Sequence, residues 1–251
     1  VYRYGPHPSQ FGEITLPASP SGRLPVVVII HGGFWLSSFT LELGRPLVGE
    51  LTRHGFAAVN IEYRGLGRGD TAGGGWPQTG QDVAAAVDAL ATDGQRLAGG
   101  RLNLTRVVAL GHSAGGQLAG WLAARRDAVV PLSGLVSQAG VLDLVGAANA
   151  GIGAGAVEDL MGGEPAEVPA TYADASPLAR VPLGVPSVCV HGRADSVVPF
   201  EQSRRFVDAA AAAGDHSVLA PYDGDHFDPI HLGTEAWRLC IDALTSLVDS
   251  R

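Results

Sequence analysis

Residues Leu24 to Ile30 read Leu-Pro-Val-Val-Val-Ile-Ile, with no polar interruption. A strand with one wet face alternates apolar and polar positions; a run apolar at every position is covered on both faces, as in a parallel sheet. Further stretches of strand character occupy 56–63, 106–110, 130–138, 185–190 and 217–221. The segment 11–16 alternates instead, which predicts an antiparallel edge strand. Between the strands lie helical patterns near 43–54, within 76–91, and over 117–125 and 201–213. In the second of these, Val83, Ala86, Val87 and Leu90 fall at helical spacing. An amphipathic helix carrying Cys240 closes the chain. Strand and helix alternating in this way predict an α/β architecture, a mostly parallel central sheet with helices on both faces. The rhythm breaks at about 139–184, where a small-residue stretch is followed by Pro165, Pro169, Pro177 and Pro182. The whole of 1–251 is expected to be one domain with this stretch as a short cap, for α/β folds often run this long undivided.

The chemistry sits at the ends of the strands. Gly111-His112-Ser113-Ala114-Gly115 joins a strand to a helix. That context predicts a nucleophile elbow, in which a sharp turn exposes the serine hydroxyl at a helix N-terminus. Alone the motif is weak in a chain of 35 glycines. His31-Gly32-Gly33-Phe34-Trp35 follows the first buried strand, and two glycines there leave backbone N–H groups free to face a developing oxyanion. The expected donors are the N–H groups of Gly33, Phe34 and Ala114, with His31 holding the loop. A serine needs a base, and the base an orienting acid. Asp195 follows the strand at 185–190 and His226 follows the last strand, in the order Ser, Asp, His that this topology requires. His191 is expected to brace the Asp195 loop, and His112 to point away from the serine. Phe34 and Trp35 are expected to wall the substrate pocket, although Trp35 suits the core equally. Glu62 and Arg64 are expected to pair and brace the oxyanion loop.

Over essentially its whole length the chain resembles the α/β-hydrolase superfamily. Within it, the chain is similar to small bacterial esterases related to kynurenine formamidase (arylformamidase) and to the hormone-sensitive-lipase group. The residues that carry this are His31-Gly32-Gly33-Phe34-Trp35, Asn60-Ile61-Glu62-Tyr63-Arg64, Gly111-His112-Ser113-Ala114-Gly115-Gly116, Asp195, and Asp225-His226-Phe227-Asp228. Phe34 stands where the lipase group tends to carry a third glycine, which favours the formamidase-like branch. The resemblance implies a serine hydrolase acting on a small-molecule ester or amide, with small carboxylic esters first and an arylformamidase as the alternative. A binding protein on a hydrolase scaffold is the remaining rival, and such proteins often lose a triad member.

Bulk composition narrows the rest. The formal charge is −8 and all 17 basic residues are arginine, with no lysine. That balance excludes nucleic acid as an expected partner. No run approaches the ~20 apolar residues of a membrane span, and a cytoplasmic location is expected. Cys189 and Cys240 read as buried small hydrophobes. No metal or cofactor is expected: ligand spacing is missing, and the glycines of 65–75 lack the ending of a phosphate loop and read as a flexible surface loop. Leu160 and Met161 are placed either in the pocket or beneath the cap. Oligomeric state has no signal in the sequence.

Overall fold

A computed structural model describes residues 1–19 and 22–249. The chain runs β1 (Tyr2–Arg3), β2 (Phe11–Thr15), β3 (Leu24–Ile30), α1 (Arg45–Arg53), β4 (Ala57–Ile61), α2 (Gln78–Asp88), α3 (Asp93–Leu97), β5 (Leu102–His112) and α4 (Ala114–Ala123). It continues through β6 (Gly134–Gln138), α5 (Leu144–Asn149), α6 (Ala156–Met161), α7 (Pro169–Ala175), β7 (Ser187–Gly192), α8 (Glu201–Ala212), β8 (Ser217–Tyr222) and α9 (Glu235–Asp249). The strands form one sheet in the order β1-β2-β4-β3-β5-β6-β7-β8. β1 and β2 pair antiparallel at the edge, and every pairing from β4 to β8 is parallel. The fold is that of an α/β hydrolase.

The uninterrupted apolar strands are apolar because both faces are covered. Along β3, Val26, Val28 and Ile30 point into one layer, with Val83 and Val87 of α2 and Leu118 of α4. Val27 and Ile29 point into the other, with Leu47 and Leu51 of α1 and Trp237, Cys240 and Leu244 of α9. The two-residue period of a strand therefore divides the sequence between two cores. Cys189 and Cys240 lie one in each layer, both buried and both free thiols.

Three local expectations shift. β5 begins at Leu102, ahead of the expected 106, because its pairing with β3 jumps at Pro25/Val26 and resumes at Val107. β6 begins only at Gly134. Pro131 lies in the stretch before it, and a proline has no N–H to give a ladder. The glycines after Arg64 are also no free loop: Leu36 and Leu66 form a parallel bridge, with Leu66 N–H donating to the Trp35 carbonyl at 2.7 Å. Within 139–184 lie three short helices, α5 to α7. Leu160 and Met161 are buried there, in the same core layer as Val26, Val28 and Ile30.

α4 lies against the sheet backbone to backbone. A Cβ placed on Gly115 would lie 2.1 Å from the Ile30 carbonyl oxygen, and one on Gly111 2.2 Å from the Gly115 carbonyl oxygen. Gly115→Ala is therefore expected to cost about 1–3 kcal/mol or more by overpacking. Gly49, in mid-α1 with open space around it, sets the control: Gly49→Ala is expected to stabilise by roughly 0.5–1 kcal/mol. Urea unfolding midpoints of the two variants check both signs.

Candidate active site

The C-terminal ends of β3, β5, β7 and β8 lie on the same edge of the parallel sheet, and each carries one piece of the site. Ser113 sits between β5 and α4 with φ 54° and ψ −118°, a region that L residues rarely adopt and that stores strain. The turn is fixed from its own backbone. Ser113 N–H donates to the Gln138 carbonyl at 2.9 Å, and the Ser113 carbonyl accepts from Gly116 N–H at 2.9 Å and Val141 N–H at 3.2 Å. Ser113 is 3% and His226 2% exposed.

Asp195 and His226, 31 residues apart, meet directly: His226 Nδ1 lies 2.7 Å from Asp195 Oδ2. The other carboxylate oxygen accepts the Val197 and Val198 N–H groups, each at 2.8 Å. His191 closes the set, with Nε2 3.2 Å from Asp195 Oδ2 and 2.9 Å from the Val198 carbonyl, while Nδ1 faces Ser203 Oγ at 2.7 Å. Since a carbonyl only accepts, Nε2 carries the His191 proton and Nδ1 accepts from the Ser203 hydroxyl. Burial pushes the Asp195 carboxyl up, but hydrogen bonds from His191, His226 and the Val198 N–H outweigh it and hold it well below the usual carboxylate range. The carboxylate is thus ionised, and the His226 proton is drawn to Nδ1, which leaves Nε2 as the ring's basic nitrogen.

His112 makes a contact that sequence reasoning did not foresee. Its Nε2 donates to the His226 carbonyl at 3.0 Å, and the two rings lie 4.7 Å apart. The residue before Ser113 therefore tethers the loop that carries His226, across 114 positions of sequence. Burial first, and then the neighbouring His226, push His112 down to about 3. It stays neutral, with its one proton on Nε2. Phe227, 47% exposed, stands edge-on to His226 at 5.2 Å.

The loop after β3 passes against Ser113: a Cβ on Gly32 would lie 3.0 Å from the Ser113 Cβ. Gly33, Phe34 and Trp35 all have positive φ, at 105°, 53° and 58°. The N–H groups of Gly33, Phe34 and Ala114 donate to no protein acceptor among the described residues. Phe34 is half-buried, and its ring fills the space where Gly153 of the cap would carry a Cβ, 2.6 Å away. Trp35 is a correction. At 1% exposure it belongs to the core, with its indole N–H on Gln117 Oε1 at 2.9 Å. It supports the loop from behind and presents no face to a substrate. The expected Glu62–Arg64 pair is also corrected. Past the end of β4 the two side chains diverge, Arg64 to Asp82 of α2 at 2.7 Å and Glu62 inward to His31 at 3.0 Å.

A serine on a strained strand-to-helix turn, a buried Asp–His couple and free N–H groups thus lie along one sheet edge. The BD-FAE family model matches residues 13–209, and the chain belongs to that family of α/β-hydrolase esterases. It is 26% identical over 241 residues to esterase LipC of Mycobacterium tuberculosis (strain ATCC 25618 / H37Rv), covering 86% of this chain and 55% of that protein. The chain spans about half the length of the curated relatives it matches. Among solved structures, a truncated carbohydrate esterase from gut microbiota superposes with a TM-score of 0.84 at 20% identity, covering 99% of this chain and 95% of that one. Esterase 2 of Thermogutta terrifontis superposes with a TM-score of 0.73 at 23% identity, over 95% and 88%. No helix among the described residues is long and apolar enough to cross a membrane.

The His112 environment makes stability depend on pH. Its folded value, about 3, lies below the ordinary value near 6.5. The unfolded chain therefore takes up a proton first as pH falls. Stability is complete above about pH 6.5 and is lost toward lower pH at up to ~1.4 kcal/mol per unit. The depressed Asp195 carboxyl adds a loss of the same sign below the ordinary carboxylate range. Urea midpoints measured from about pH 7 down to 4 are expected to fall, and His112→Gln is expected to flatten the upper part of that slope.

Proposed function

We propose that this protein is a serine hydrolase of small carboxylic esters, working through an acyl-enzyme intermediate. The single observation that carries the reading is the 2.7 Å Asp195–His226 contact, with a serine held at φ 54° on the same edge of the sheet. In the first half-reaction Ser113 Oγ bonds to the substrate carbonyl carbon and gives its proton to His226 Nε2. The carbonyl π pair moves to oxygen, where the N–H groups of Gly33, Phe34 and Ala114 hold it. Asp195 fixes the tautomer of His226 and stabilises the imidazolium. Collapse of the tetrahedral adduct breaks the bond to the alcohol, which leaves with the proton from His226. Water then repeats the sequence and releases the acid.

Supporting this reading are the family itself and the names of the curated relatives, which include an esterase and a probable carboxylic ester hydrolase. The chain acts as one domain, and the stretch 139–184 serves as a short cap. Its helices of six, six and seven residues form no long amphipathic lid, which suits small substrates in solution better than a lipid interface.

The test compares wild type with Ser113→Ala and Asp195→Asn on short p-nitrophenyl esters and on N-formylkynurenine. Ester turnover is expected in wild type, with none above background in Ser113→Ala. Asp195→Asn is expected to lose about 10⁴-fold in kcat, as tautomer loss does in serine proteases. A formamide kcat/KM far above the ester value would assign the amide branch instead. Serine-independent turnover, or none on either substrate, would overturn the proposal.

A further inference from the structure

The loop that carries Gly33 is held by a buried couple that the proton-transfer scheme does not use. The side chains of His31 and Glu62 are 2% and 4% exposed, with His31 Nε2 3.0 Å from Glu62 Oε1. Glu62 is fully committed: Oε1 also accepts the Tyr63 N–H at 3.1 Å, and Oε2 accepts the Leu41 N–H at 2.9 Å. The other imidazole nitrogen, Nδ1, faces the Gly32 carbonyl at 2.8 Å. Tyr63, stacked on the ring at 4.3 Å and 8°, spends its hydroxyl proton on the His31 carbonyl at 2.8 Å, so its oxygen, 3.4 Å from Nδ1, is left to accept.

Hydrogen counting decides what this couple does. A carbonyl has no proton to give, so Nδ1 carries one. The Nε2–Oε1 contact holds a second, on one atom or the other. The ring cannot turn over without losing a contact at each end. In a trans peptide the C=O and the N–H point in opposite directions, and the bond from residue 32 to 33 is not among the cis peptides. Fixing the Gly32 oxygen on the His31 side therefore aims the Gly33 N–H to the opposite side. A donor on a peptide oxygen also polarises that peptide and strengthens its N–H as a donor.

We propose that Glu62 and His31 are positioning residues for the oxyanion hole: the proton they share fixes the imidazole, the imidazole pulls on the Gly32 carbonyl, and the Gly32–Gly33 peptide passes that polarisation to the Gly33 N–H. The inference rests on reading the Gly33 N–H as an oxyanion donor. It assigns work to Glu62 and His31, both buried behind the loop. It also separates this loop from the Asp195–His226 arm, which handles the serine proton.

The experiment uses Glu62→Gln, His31→Asn and Ser113→Ala beside wild type. Each is assayed on a short p-nitrophenyl ester and titrated with a trifluoromethyl ketone of the same acyl size. That ketone accepts Ser113 Oγ at its carbonyl carbon, passes the serine proton to His226, and leaves an oxyanion in the hole. Glu62→Gln keeps the size of the side chain and removes the charge. It is expected to hold KM within about twofold while kcat and ketone affinity fall together by roughly 10- to 100-fold, below the effect of deleting a donor outright. His31→Asn is expected to follow the same line. Independently of activity, NMR of ¹⁵N-histidine protein, with His31 assigned from His31→Asn, is expected to show a protonated Nδ1 in wild type.

Unchanged kcat and ketone affinity in Glu62→Gln would overturn the proposal, as would a bare Nδ1 on His31. A rise in KM alone would reduce the couple to loop packing and overturn it equally. If Ser113→Ala is inactive while Glu62→Gln behaves as wild type, the couple fails alone. If Ser113→Ala still turns over ester, the reading of the whole site fails, and the couple's oxyanion role with it.

Discussion

The site depends on how closely α4 lies against the sheet. Gly115 brings its helix so near β3 that a single Cβ would meet two carbonyl oxygens, of Ile30 and His31. That approach puts the N-terminus of α4 level with the end of β3. Only then can a serine at a positive φ lie beside the loop that follows His31. The strain at Ser113 is held by backbone hydrogen bonds with Gln138, with Gly116 and Gln117, and with Val141. These come from the neighbouring strand, the helix and the segment after β6, so the turn is overdetermined from three sides.

From that contact two arms extend on opposite sides of the serine. One is the chain Ser203–His191–Asp195–His226, in which most donors and acceptors are fixed by what each partner is able to do. The other is Glu62–His31–Gly32. Both keep buried charge tolerable in the same way, by giving each carboxylate oxygen a donor, which low local polarity demands. His112 joins the first arm to the elbow itself. The position before Ser113 is therefore part of how the His226 loop is held, and its burial as a neutral ring is the cost of that tether.

How much of this was legible in the sequence follows from which contacts are local. The buried strands could be read because parallel strands are apolar on both faces. Ser113, Asp195 and His226 stood out as candidates because each follows a strand and chain order limits the choices, and the structure brings Asp195 and His226 together. The links between loops could not. His112 meets His226 across 114 positions, and Glu62 meets His31 across 31, with no periodicity to announce either. Arg64 and Glu62 were expected to pair, but the strand ends at Ile61 and past it their side chains take separate, distant partners, Asp82 and His31. Trp35 went to the core because Gln117, far along the chain, supplies an acceptor for its indole. The bend before β6 follows from Pro131, which was visible but outweighed by its apolar neighbours.

The basic residues of this chain are all guanidinium, and that has a bearing on selectivity. Activated esters acylate any unprotonated side-chain amine they meet, and lysine is the usual victim. Here there is none. Several arginines are further occupied in short-range pairs along helices, as with Glu50, Asp93 and Glu201. The two thiols, which could also capture an acyl group, are buried, and burial pushes both up to about 12. An electrophilic ester reaching this protein meets no lysine and no exposed thiol, so with Ser113 as the proposed acceptor the competition from the protein's own surface is small.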